Sequence, residues 1–155
     1  MPDSMSHPPV WKPHTTVAAI AERDGKFLMV EEVSDGRTVY NQPAGHLDPN
    51  ESLRQAVIRE TREEAASLFE PEYITGIYHW NQPQTKRCYI RVAFAGHCTQ
   101  QLQTPLDEGI IRALWMSRDD LISAQEKLRS PMVLRCIDDY IAGRRYPLEL
   151  LIDML

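Results

Sequence analysis

The sequence predicts one α/β domain, a mixed β-sheet held between helices. Apolar runs of strand length are interleaved with runs of helical periodicity, the pattern of a sheet covered by helices. There is no internal repeat, low-complexity tract or linker. A chain of 155 residues and 17.8 kDa fits one domain, burying roughly 68 to 70% of its unfolded surface.

Pro8, Pro9 and Pro13 mark an extended lead-in, so residues 1–10 are expected to be flexible and the domain to span 11–155. Segments 15–21 and 26–33 are apolar runs around Asp24-Gly25 and read as a hairpin. Ser34-Asp35-Gly36 turns the chain again, and 39–44 leads into a helix. Asp48-Pro49-Asn50 is a turn signal with Asn50 as the cap. Glu51 and Ser52 suit a first helical turn facing the positive end of the dipole, and the run 52–66 contains no Gly or Pro. After Pro71, 73–80 and 88–98 are strand candidates, the second alternating Cys88, Ile90, Val92 and Phe94 against Tyr89 and Arg91. Segment 110–116 is another strand. Ser117 can cap a helix from Arg118 toward Lys127, and Pro131 can occupy the first turn of one reaching Ala142.

The helix over 52–66 carries the chemistry. Leu53, Ala56 and Val57 recur at i, i+3, i+4, and at 100° per residue the same stripe continues through Glu60 and Glu64. Carboxylates thus stand where a core helix would next place apolar residues. Pressing bare carboxylates against the protein body costs several kcal/mol per ion unless a cation compensates, and a bound metal is the simplest compensation. The bland reading, a solvated helix end with an Arg59–Glu63 pair, is worth only a few tenths of a kcal/mol. It leaves the stripe and the upstream Gly45 and Glu51 unexplained. Hard oxygen ligands without Cys or His select Mg2+, with Mn2+ as a substitute, and point to phosphate chemistry.

From Gly45, the spacing is five residues to Glu51, seven more to Arg59-Glu60, and two more to Glu63-Glu64. With each residue type near one in fifteen, such a match arises by chance on the order of 10^-5 per chain of this length. It resembles the Nudix box, in which a hydrophobic residue follows Arg-Glu and a Gly and a hydrophobic residue close the motif. Six of nine specified positions match, the departures being Thr61, Ala66 and Ser67. Segments 12–18, 40–47, 128–131 and 144–150 resemble the NudJ-type group of small bacterial Nudix phosphatases.

The resemblance implies an α/β/α Nudix sandwich and a phosphoanhydride hydrolase. It implies Glu60 and Glu64 as principal metal ligands, Glu63 as a further ligand or proton acceptor, and the Ala44 carbonyl as another ligand. Arg59 would orient the glutamates through Glu51 or Glu63. The metal would neutralise a diphosphate and acidify a water for in-line attack at phosphorus, with a carboxylate accepting the proton. The implied substrates are nucleoside di- and triphosphates, hydroxymethylpyrimidine diphosphate or thiamine diphosphate, with release of orthophosphate. A MutT-like enzyme releasing pyrophosphate and a non-catalytic nucleotide-binding module are the alternatives.

Other residues are weaker candidates. His46 could face a phosphate, Trp80 and Tyr89 could stack on a base, and Asp107-Glu108 could add an acidic group. Arg87 and Arg91, or Arg129, Arg144 and Arg145, could bind phosphate oxygens. The nucleoside end is expected near Trp80, Arg91 and the tail 144–150.

Seventeen Lys plus Arg against 22 Asp plus Glu give a net charge of −5 and a pI near 5.5, which argues against broad nucleic-acid binding. GxxxxGK[ST] and a nucleophile elbow are absent. Cys88, Cys98 and Cys136 form no CxxC and read as free thiols of a reduced cytoplasm. No stretch has the length of a membrane span, so a cytoplasmic monomer or small homo-oligomer acting on a small nucleotide or diphosphate is expected.

Overall fold

The computed structural model describes residues 7–155, so residues 1–6 of the expected lead-in lie outside the described residues. The strands are β1 (His14–Arg23), β2 (Lys26–Ser34), β3 (Arg37–Asn41), β4 (Ala44–His46), β5 (Ser67–Asn81), β6 (Cys88–Gln101) and β7 (Ile110–Ser117). The helices are α1 (Leu53–Ala65), α2 (Arg118–Ser123) and α3 (Pro131–Ile141), with 3-10 turns at Gln125–Lys127 and Leu148–Leu150. The strands form a mixed sheet in the order β3-β2-β1-β6-β5, with β4 added to β1 and β7 to β2. β1 and β6 run parallel and the other pairs antiparallel.

Asp24 and Gly25 adopt positive φ, as a two-residue hairpin demands. β1 and β2 pair only near this tip, at Glu22↔Phe27 and Arg23↔Lys26. Beyond it they diverge, β1 running between β4 and β6, and β2 between β3 and β7. Both faces of the central strands are buried, which is why they read as continuous apolar runs. Val17, Ala19, Leu28, Val30, Val92 and Phe94 pack with Ala56 and Val57 of α1. Their alternates Ile20, Phe27, Met29, Ala93 and Ala95 pack with Leu121 of α2 and Val133 and Ile137 of α3. The result is an α/β/α sandwich.

Several sequence expectations are corrected. The cap of α1 is Ser52, whose hydroxyl accepts from Gln55 N–H while the Gln55 side chain accepts from Ser52 N–H. Asn50 instead takes φ 62° in the preceding turn, and Glu51 lies outside the helix. β5 begins at Ser67, before Pro71, because Ala66 ends α1 at φ 48° and ψ 39° and turns the chain directly into the strand. Pro71 is accommodated by a bulge on this edge strand. α2 stops at Ser123 and a 3-10 turn covers the rest of the expected helix. Arg91, placed opposite the apolar positions of β6, is itself buried.

The departures from the Nudix pattern have local solutions. Thr61 is fully buried, but its hydroxyl donates to the Val57 carbonyl at 2.7 Å. Ala66 adopts the left-handed conformation that the motif's glycine would take without strain.

Candidate active site

β4 lies along the second half of α1, and this apposition builds the site. Glu60 and Glu64 are 9% and 8% exposed. Glu64 Oε1 accepts from Ala44 N–H at 2.8 Å. Gly45 is a close approach, since a Cβ there would fall on the Glu60 carboxylate.

Arg59 organises the acidic cluster. It donates Nη2 to Glu51 Oε1 at 2.7 Å and Nε to Glu51 Oε2 at 3.0 Å. Its Nη1 reaches Glu60 Oε1 at 2.9 Å and Glu63 Oε2 at 3.1 Å. Nη2 also donates to the His46 carbonyl at 3.0 Å, and Asp48 N–H donates to Glu51 Oε1 at 2.8 Å, so the turn before α1 is cinched onto the helix. The Arg59 hydrogen bond holds the Glu51 carboxyl below its ordinary range.

The buried carboxylates are under-compensated. Burial pushes Glu60 up to about 7, against the pull of Arg59. Burial pushes Glu64 up to about 9, with the nearby Glu32 and Glu60 adding to the effect. The donors are all oxygen, as a hard divalent cation prefers. Among the described residues no group of three or more Asp, Glu, His or Cys side chains is placed to hold a metal ion. Mg2+ commonly uses one or two carboxylates and completes its shell with water and substrate oxygens, so Glu60 and Glu64 fit it.

These carboxylates line a cavity of about 350 Å³ that Trp80 and Tyr89 also line. The two rings stack at 5.9 Å, and His14 stacks on Tyr89 at 5.2 Å. His46 lines the cavity with its Nε2 3.0 Å from His14 Nδ1, and burial followed by His14 lowers its pKa.

Arg91 also lines the cavity, but donates Nη1 to Gln42 Oε1 at 2.9 Å and Nη2 to Asn41 Oδ1 at 3.0 Å. Its Nε is buried without a partner among the described residues. Arg87 and Arg129 line the cavity too. Arg144 instead pairs with Asp139 at 3.4 Å, and Arg145 lies over Tyr73. Tyr146 and Ile74 exchange backbone hydrogen bonds of 2.8 Å, while Leu148 and Leu151 pack on the core. The tail is therefore a strap on β5 and does not line the cavity. Asp107 is brought to α1, donating its N–H to the Glu63 carbonyl at 2.9 Å, and both Asp107 and Glu108 are exposed.

Glu32 was missed by the sequence reading. It is 6% exposed on β2 and accepts from Arg129 at 2.6 Å. The signal was a carboxylate inside an apolar strand run. Asn41 and Gln42, immediately before Pro43 and β4, likewise carried no local signal.

The NUDIX domain family matches residues 12–136. Phosphatase NudJ of Escherichia coli strain K12 is 39% identical over 145 residues, covering 93% of this chain and 94% of that protein. A NUDIX hydrolase from Nitrosomonas europaea superposes with a TM-score of 0.90 at 46% identity, over 92% of this chain and 97% of that one. A MutT protein from Methanosarcina mazei Go1 gives a TM-score of 0.69 at 23% identity, over 88% of this chain and 100% of that one, a likeness of fold alone.

Proposed function

The chain belongs to the Nudix hydrolases and is a NudJ-like phosphatase acting on phosphoanhydride bonds; on that premise we propose that it is Mg2+-dependent and releases orthophosphate from nucleoside di- and triphosphates or related diphosphates such as hydroxymethylpyrimidine or thiamine diphosphate. The observation that carries this reading is the pair Glu60 and Glu64, buried on one face of α1 and lining a cavity whose wall also carries stacked aromatic rings.

In this reading Glu60 and Glu64 hold the ion. When bound it supplies charge neutralisation on the diphosphate and a more acidic attacking water. Arg59 keeps Glu60 and Glu63 in register and ties the end of β4, the strand carrying Gly45, to them through the His46 carbonyl. Glu63 is the most exposed of the three glutamates. Its Oε2 accepts from Arg59, and its Oε1, with no donor among the described residues, takes the water's proton. Water adds to phosphorus, the bridging P–O bond breaks, and orthophosphate leaves with the shortened nucleotide. Trp80 and Tyr89 hold the aromatic portion of the substrate, and their placement relative to Glu60 and Glu64 decides which phosphorus is attacked.

A panel of phosphoanhydrides tests this, with orthophosphate and pyrophosphate quantified separately with Mg2+ and with chelator. Mg2+-dependent orthophosphate release is expected. Pyrophosphate alone would favour the MutT-like reaction, and no product from any di- or triphosphate would favour a binding module.

A further inference from the structure

Arg129 lines the same cavity as Glu60, Glu64 and the aromatic pair, and it is fixed from two sides. Its backbone N–H donates to the Tyr40 carbonyl at 2.9 Å, and the preceding Leu128 bridges Tyr40, so the segment entering α3 is stitched to β3. Its Nη1 donates to Glu32 Oε1 at 2.6 Å. That carboxylate is 6% exposed on β2, and its Oε1 also accepts from Asn41 Nδ2 at 3.5 Å. Among the described residues Nε and Nη2 of Arg129 have no protein partner, although the side chain faces the cavity and is 40% exposed.

An exposed arginine that meets one mobile carboxylate contributes little and wanders. Here the carboxylate is held by the sheet, so one donor is consumed and the rest of the planar fork is presented in a set direction. The other cavity arginines differ. Arg91 spends both terminal nitrogens on Asn41 and Gln42, while the guanidinium groups of Arg37 and Arg87 have no carboxylate partner among the described residues to orient them.

We propose that Arg129 binds the phosphate of a phosphoanhydride that is not held at Glu60 and Glu64, and that Glu32 is the positioning residue that sets its guanidinium. The inference rests on the phosphoanhydride reading above and adds the protein group that engages the second phosphate. The fork matches two phosphate oxygens at once, which a lysine ammonium cannot do.

Binding tests this independently of turnover. Methylenediphosphonate, which cannot be hydrolysed at its bridge, is titrated by calorimetry into the full-length protein in Mg2+, and Mg2+ affinity is measured separately by thermal shift. Arg129→Gln should weaken the diphosphonate by about 10- to 100-fold, the range of charge-assisted hydrogen bonds, and leave Mg2+ affinity intact. Arg129→Lys should recover part of the loss. Glu32→Gln should cost less than Arg129→Gln, since the cation remains but is no longer oriented. Undiminished diphosphonate binding in Arg129→Gln, a parallel loss of Mg2+ affinity, full rescue by lysine, or no binding by the wild-type protein would overturn the proposal. Failure of the phosphoanhydride reading looks different: Arg129-dependent diphosphonate binding in a protein that cleaves no phosphoanhydride.

Discussion

Arg59 grips Glu51 with two parallel hydrogen bonds, Nη2 to Oε1 at 2.7 Å and Nε to Oε2 at 3.0 Å, and shares its remaining terminal nitrogen between Glu60 and Glu63. One guanidinium thus fastens the turn before α1 to two glutamates of the helix. The Gly45-to-Glu64 spacing is therefore a mechanical unit in which the arginine sets the carboxylates' directions.

Arg59→Ala leaves these partly buried carboxylates without their cation. A loss of about 2 kcal/mol is expected, or about 4–8 °C in Tm for a domain of this size, with kcat reduced by about 10- to 100-fold. Calorimetric melts and steady-state kinetics on the same preparation check both. Loss of neither would make Arg59 a bystander.

Gly45→Ala places a methyl group where the Glu60 carboxylate now lies. The side chain of Glu60 must move, at about 1–3 kcal/mol of overpacking. Turnover should fall more steeply than stability, because the displaced group is the proposed ligand. A variant that melts lower but retains full kcat at saturating Mg2+ would contradict that role for Glu60.

Glu60→Gln and Glu64→Gln should each lower kcat by at least about 100-fold while leaving the fold intact, since each removes a proposed anionic ligand but little volume. The metal-free protein should also show an unusual pH profile. Burial raises Glu60 to about 7 and Glu64 to about 9, from an ordinary 4.5, so the folded state binds these protons more tightly than the unfolded state. Stability from these groups is fully present below about 4.5 and is lost as pH rises through about 7 and then about 9. Glu64→Gln should flatten the upper part of that decline, and Mg2+ should raise the wild-type Tm more at pH 9 than at pH 6. Melting curves in chelator and in Mg2+ across this range provide the check.

Trp80→Ala should raise KM for a nucleoside diphosphate by about 10- to 100-fold with little change in kcat, as expected for one lost base–aromatic stack. Inorganic pyrophosphate, which carries no ring, should be insensitive as a competitive inhibitor. Equal weakening of both would mean that Trp80 shapes the phosphate end.

The glutamate helix was legible because helical geometry carries the apolar stripe of Leu53, Ala56 and Val57 into Glu60 and Glu64. The hairpin was legible because Asp24-Gly25 supplies both positive-φ positions. Helix entry was not: Asn50 and Ser52 are both good caps, and the choice is made by Gln55 completing the box at Ser52. Nor was the burial of Arg91, whose partners Asn41 and Gln42 lie on another part of the chain and meet it only once β6 is buried on both faces. Glu32 and Arg129 are 97 residues apart, a separation over which no local periodicity operates. The tail 144–150, expected at the nucleoside end, is held to β5 by the pairing of Tyr146 with Ile74, a contact across 72 residues with no local signal, and Arg144, Tyr146 and Leu150 share a second cavity with Trp80.

Phosphorus NMR of GTP hydrolysis in 18O-enriched water, with Mg2+ present, tests the central claim most directly. The account predicts GDP and orthophosphate, with one solvent 18O on the orthophosphate and none on GDP, because water attacks the terminal phosphorus and the anhydride bridge leaves with GDP. GMP with pyrophosphate, or no consumption of GTP or of the other phosphoanhydrides, would contradict it.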